Sequence, residues 1–249
     1  MNFVEIGKGE RPTIVFAHGW ARTHHDFIPA AEALVGSEKS LLVDLPGFGG
    51  TPRPEAAWDT KAYADDAAAF IREQVGAPVV WVGHSFGGRV GLRLGVHHPD
   101  VLRGLVLVSA AGIPLERPWW QRQRGKLRQA RFRWLRQRAG GDAAAIEALE
   151  KRFGSADYVQ SRALGLRDIF LQSIREDQSP DLPAIKTPTV LLYGANDTET
   201  PPVMGRRIAA LIPGARYLEL PEFDHISILH RGHHIIALRA KEMLAGGAA

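Results

Sequence analysis

Residues 79–94 read VVWVGHSFGGRVGLRL, and this stretch decides the fold. Val79, Val80, Trp81 and Val82 form a short apolar run of the kind that makes a buried strand, and from Phe86 the apolar spacing becomes helical. Ser85 therefore stands where a strand turns sharply into a helix. A bulky residue at position 83 or 87 would crowd that turn, and glycine at both positions tolerates the tight backbone approach. The turn holds one hydroxyl out in a strained, exposed position.

Elsewhere short apolar runs alternate with amphipathic segments. Thr13 to Ala17, Ser40 to Val43, Leu105 to Val108, Thr189 to Tyr193 and Arg216 to Leu220 read as further strands. DFIPAAEAL, TKAYADDAAAFIREQV, Pro202 to Ile212 and Ser227 to Leu244 read as helices, with Thr60 as an N-cap. This alternation predicts an α/β fold: a mostly parallel, doubly wound sheet covered on both faces.

The pattern breaks between Ile113 and Leu182. That stretch shows helical spacing without strand-like runs, and residues 113–182 are expected to form a helical lid inserted into a single domain spanning 1–249. Its charge is one-sided. From Arg117 to Arg138 there are nine arginines and lysines and no acid, whereas the whole chain carries only +4, so the remainder is net negative. Trp120, Leu127 and Trp134 recur every seven residues, enough for one apolar helix face, which is expected to pack on the core. The segment also suits an anionic substrate or peripheral contact with an anionic membrane; a lid explains its placement better than nucleic-acid binding.

With 249 residues and 45% hydrophobic content, the chain has ample material for a core. It has no cysteine, which excludes disulfides and thiolate chemistry. No leader-like segment opens the sequence and no apolar run reaches bilayer length, so a soluble cytoplasmic protein is the expectation.

A serine hydroxyl is a poor nucleophile until a base takes its proton, and that base works best when a third group orients it. In an open parallel sheet such groups gather just beyond the C-terminal ends of strands. TVLLYGANDTETP ends a strand and offers Asp197; ARYLELPEFDHISIL ends the last strand and offers His225. Asp224 is adjacent to His225 and should point elsewhere. Acyl transfer also needs donors for a developing oxyanion. The turn after IVFAHGWAR supplies the Trp20 backbone N–H, and the start of the helix after Ser85 supplies that of Phe86.

Taken in order, GHSFGG, HGW, DLPGFGGTP, GANDTETP and DHISIL resemble the α/β-hydrolase superfamily over nearly the whole chain. The resemblance implies a nucleophile elbow at Ser85, an orienting acid at Asp197, a base at His225, and oxyanion amides at Trp20 and Phe86. Only NFVEI precedes the strand leading to His18, so the opening hairpin usual in that superfamily is shortened and about seven strands, not eight, are expected. It implies hydrolysis of a small-molecule carboxylic ester, or a thioester, through an acyl-enzyme with no metal or organic cofactor. Dehalogenases and epoxide hydrolases of this fold use a carboxylate at the elbow, so Ser85 argues against both. Hydrolysis of carbon–carbon bonds in ring-cleavage products uses the same triad and stands as the alternative. A ligand-binding protein on the same fold stands beside it.

Trp20, Trp119 and Trp120 are the candidate pocket residues. His18 is expected to shape its turn, His24 and His25 to lie on the surface, and Arg89 to form a structural salt bridge. The cluster His230, His233 and His234 opens the last helix without an obvious further ligand for a metal.

Overall fold

In the computed structural model, which describes residues 1–116 and 118–246, seven strands form one sheet. They are β1 (Asn2–Gly7), β2 (Ile14–Ala17), β3 (Lys39–Asp44), β4 (Val79–His84), β5 (Leu102–Val108), β6 (Thr189–Gly194) and β7 (Arg216–Leu220). Their order is β1-β3-β2-β4-β5-β6-β7, with β1 antiparallel to β3 and every other pair parallel. The chain runs outward from β2 to β3, then crosses back to place β4 on the other side of β2. That reversal opens a crevice beyond the C-terminal ends of β2 and β4, where parallel sheets bind ligands.

Helices cover the sheet: α1 (Ile28–Glu32), α2 (Thr60–Gln74), α3 (Phe86–His97), α4 (Trp119–Arg138), α5 (Ala143–Phe153), α6 (Ala156–Ala163), α7 (Arg167–Arg175), α8 (Pro202–Leu211), α9 (Ser227–His230) and α10 (His233–Leu244). β4 is buried on both faces, so its sequence is continuously apolar rather than alternating. Val15, Trp81, Leu107 and Tyr193 face one core layer, and Phe16, Val80, Val82 and Leu192 face the other. Trp81 also donates its indole N–H to the Gly87 carbonyl at 3.0 Å, tying the core to the start of α3.

The helix boundaries differ from the sequence expectation in two places. Asp59, not Thr60, caps α2, its Oδ1 accepting from Ala62 N at 2.8 Å. Both residue types can cap; Thr60 is instead buried, and its amide and hydroxyl both bind Glu176 at the end of α7. The expected helix from Ser227 to Leu244 is broken into α9 and α10 at Arg231–Gly232. A Cβ at Gly232 would lie 2.6 Å from the Ile228 carbonyl, a closeness only glycine accepts.

α4 through α7 lie between β5 and β6, where the helical insertion was expected. Arg117, at the start of the basic segment, is outside the described residues. The seven-residue stripe does not pack on the core. Trp119 is 76% exposed, Trp120 45%, Leu127 71% and Trp134 50%. The periodicity does mark one face of α4, but the less exposed side is the opposite one, where the half-buried Phe132 meets the Phe153 ring at 5.8 Å.

Candidate active site

The turn after β4 is as tight as the glycine pattern requires. Ser85 has φ 47° and ψ −103°, a conformation that costs an L-residue about 1–3 kcal/mol and persists only when its surroundings enforce it. A Cβ at Gly83 would sit 2.3 Å from the Gly87 carbonyl oxygen, and one at Gly87 would sit 2.2 Å from that of Ala17. Backbone bonds fix the turn on both sides: Ser85 N donates to Val108 O and Gly87 N to His18 O, each at 3.0 Å.

The loops after β6 and β7 bring Asp197 and His225 together. Both are buried, and His225 Nδ1 lies 2.8 Å from Asp197 Oδ2. The carboxylate can only accept, so Nδ1 carries the proton and Nε2 is left as the basic nitrogen of the neutral ring. Asp197 Oδ1 also accepts from the amides of Glu199 at 2.9 Å and Thr200 at 2.8 Å. The Thr200 hydroxyl lies 2.9 Å from Asp197 Oδ2. Burial raises the pKa of Asp197, but the His225 bond and charge and the Thr200 and Ser109 contacts outweigh it, holding the carboxyl below its ordinary range. Asp224 points away, as expected, and caps α9 by accepting from the amides of Ile226 and Ser227.

Ser85 and His225 line the same two cavities. The smaller, about 180 Å³, is shared with Gly19, Trp20 and Glu199. The larger, about 730 Å³, is walled by Arg89 from α3 and by Phe132, Tyr158, Phe170 and Ile174 from the inserted helices. Among the described residues no hydrogen bond joins Ser85 Oγ to His225. Nε2 instead lies 3.5 Å from Glu199 Oε2. Neither the Trp20 nor the Phe86 amide donates to a protein acceptor among the described residues.

The remaining candidates divide: Trp20 lines the smaller cavity, and the others do not. The Trp20 indole is buried against Phe48, Phe86 and Phe170, with ring centroids 5.0, 5.3 and 5.0 Å away. Trp119 and Trp120 line neither cavity, because the inward face of α4 belongs to Gly125, Arg128, Gln129 and Phe132. His18 binds two loops together: Nε2 accepts from Leu45 N at 3.0 Å, so Nδ1 carries the proton and donates to Gly19 O at 2.7 Å. Burial pushes its pKa down to about 4, and it stays neutral. His24 is not a free surface residue; its amide and Nδ1 both contact Asp44 Oδ1, at 2.8 and 2.9 Å. His233 Nδ1 turns to the His230 carbonyl at 2.8 Å, and among the described residues no three potential ligands gather as a metal site.

Three contributors went unread in the sequence: Thr200, His84 and Glu199. Thr200 sits in the quoted GANDTETP, and a hydroxyl three residues beyond an acid is a recurrent local partner for it. Nothing in the sequence signals the approach of Glu199 to His225.

Known proteins place the chain. The model of the alpha/beta hydrolase family matches residues 14–245. A pimeloyl-[acyl-carrier protein] methyl ester esterase of Chromobacterium violaceum is 28% identical, covering 98% of each chain. One from Neisseria meningitidis serogroup B is 27% identical over 94% of this chain and 93% of its own. Among solved structures, a thermophilic esterase from Thermogutta terrifontis superimposes with a TM-score of 0.70 at 22% identity, covering 100% of this chain and 94% of that one. The chain belongs to the alpha/beta hydrolase family.

Proposed function

We propose that Ser85, His225 and Asp197 act as a catalytic triad that hydrolyses a carboxylic ester through an acyl-enzyme. The observation that carries this is the 2.8 Å bond from His225 Nδ1 to Asp197, which leaves Nε2 as the base in a cavity that Ser85 shares. Nε2 takes the Ser85 proton as Oγ attacks the carbonyl carbon. The oxyanion is held by the Trp20 and Phe86 amides, and His225 returns the proton to the departing alcohol. Water, deprotonated by the same nitrogen, then releases the acid and regenerates Ser85. α4 to α7 act as the lid over this site. Their apolar side chains Phe132, Phe170 and Ile174 give the larger cavity a wall suited to an acyl chain of medium length.

The test is covalent. A small fluorophosphonate should add one adduct to the parent protein and none to Ser85→Ala, read by intact mass. The same substitution should abolish ester turnover. Labelling of Ser85→Ala at the parental rate would remove Ser85 from the nucleophile's place.

A second element of this reading concerns α4. Its outward tryptophans and Leu127 stand among arginines, with Arg124 5.4 Å from the Trp120 ring and Arg138 4.2 Å from that of Trp134. An exposed aromatic face flanked by cations is the composition of helices that lie in the headgroup region of a membrane, and the absence of any acid from 117 to 138 selects an anionic surface. The lid is therefore proposed to touch anionic lipid.

A further inference from the structure

Arg89 lies on α3, four residues and about one helical turn beyond Ser85, and it lines the larger cavity with it. It is only 8% exposed. The salt bridge expected for it is not formed among the described residues. Glu176, its nearest electrostatic partner, is engaged by Thr60 and by Arg93. One guanidinium nitrogen, Nη1, donates to the Ser173 carbonyl near the end of α7. Nε and Nη2 have no acceptor among the described residues, and they are not sealed in the protein interior. These two N–H groups form the edge of the guanidinium whose parallel donors match the two oxygens of a carboxylate.

The other charges in the cavity sit elsewhere: Arg128 of α4 is exposed and donates to the Arg152 and Phe153 carbonyls. Asp157 and Glu199 lie at the His225 end: Glu199 is 3.5 Å from Nε2, and Asp157 is electrostatically coupled to both. The leaving alcohol departs on that side, since His225 protonates it. An anionic alcohol would meet two carboxylates there, whereas an anionic acyl group would meet a buried cation without a counter-ion. Burial lowers the pKa of Arg89 only to about 10, so it is charged at neutral pH.

From this polarity we infer that Arg89 is a specificity-determining residue that binds a carboxylate on the acyl part of the substrate, making the preferred substrates half-esters of dicarboxylic acids with a small neutral alcohol. A single monoanion neutralises Arg89; a phosphate dianion would overcharge it. The inference rests on Ser85 being the nucleophile.

The experiment compares monomethyl esters of straight-chain dicarboxylic acids, from glutarate to suberate, with the dimethyl esters of the same acids. The readout is the ratio of kcat/KM within each pair, with fluorophosphonate labelling of Ser85 run in parallel. The parent should favour the half-ester at least about tenfold at one chain length, as a bidentate charged bond warrants. Arg89→Gln keeps a donor for Ser173 but loses the charge, and its ratio should fall at least about fivefold; Arg89→Lys should lie between. A parent that turns over the diesters with no preference for any half-ester overturns the inference, as does an Arg89→Gln ratio equal to the parent's. Absence of labelling together with absence of turnover removes the nucleophile reading itself and the inference with it. The parent's own ratio decides the matter even if a variant fails to fold.

Discussion

His84 Nε2 donates to the backbone carbonyl of His225 across 2.9 Å, so the residue immediately before the proposed nucleophile holds the loop that carries the proposed base. The two rings also lie 4.6 Å apart. Complete burial, and then the neighbouring His225, push the His84 pKa well below its ordinary value, so the ring is neutral. Donation from Nε2 leaves Nδ1 bare, and Nδ1 has no partner among the described residues. His84 is thus a positioning residue. His84→Ala should lower kcat about tenfold, the usual consequence of stranding one buried acceptor, with KM changed much less. His84→Gln, which restores a donor, should recover part of the loss. Steady-state kinetics on one ester checks both, and equal loss in Ala and Gln would reduce His84 to a packing role.

Asp44 makes the acid dependence of stability predictable. Its buried carboxylate accepts from Asn2, from the amides of Gly50 and His24, and from the His24 ring. Burial raises its pKa, yet those bonds win and hold it at about 2, against 3.8 unperturbed. A depressed folded pKa means stabilisation that is complete above pH 4 and is lost as the pH falls through about 2. The shift corresponds to about 2 kcal/mol at neutral pH. Asp44→Asn should lower the urea midpoint at pH 7 and flatten its decline between pH 4 and 2. Parallel acid profiles for parent and variant would show that other carboxylates govern this range.

Two glycines should respond to alanine in opposite directions. At Gly87 the new methyl would lie 2.2 Å from the Ala17 carbonyl, where backbone on both sides resists movement. Gly87→Ala should cost about 3 kcal/mol or more and abolish fluorophosphonate labelling. At Gly125, inside α4, nothing lies within 4 Å of the added Cβ. Gly125→Ala should stabilise α4 by about 0.5–1 kcal/mol through helix propensity. Thermal melts and hydrogen exchange across 119–138 would read the two effects.

The contrast between these glycines shows what the sequence carries. Ser85, Asp197 and His225 were legible because each follows an apolar run whose length and composition mark a strand, and strand ends in a parallel sheet converge. Six of the seven strands were legible for the same reason; β1, half-exposed at the sheet edge, has no such run. The side chains that tune the site were not. Arg89 reads as an ordinary helix arginine until α7 presents the Ser173 carbonyl and Glu176 is seen to be occupied by Thr60 and Arg93. The stripe Trp120, Leu127, Trp134 announced a face of α4, but period alone does not say which face meets the protein. Phe132 and Leu135, off that period, take the more buried positions.

That outward face gives the last prediction. Three tryptophans and Leu127 are exposed on one helix, and seven residues are close to two turns, which aligns Trp120, Leu127 and Trp134 along a single line. Such a face gains by entering the headgroup region of a bilayer, and the surrounding arginines and lysine gain by meeting anionic lipid, each contributing about 1 kcal/mol near the surface. The protein should co-sediment with phosphatidylglycerol vesicles and not with phosphatidylcholine ones, and the binding should weaken steeply as salt is raised. Replacing Trp119, Leu127 and Trp134 together by serine should reduce vesicle affinity at least about tenfold while Ser85 labelling persists, since none of the three lines the cavities. Vesicle binding unchanged in that triple variant would rule out the aromatic face. A parent that ignores anionic vesicles would remove the lipid contact from α4.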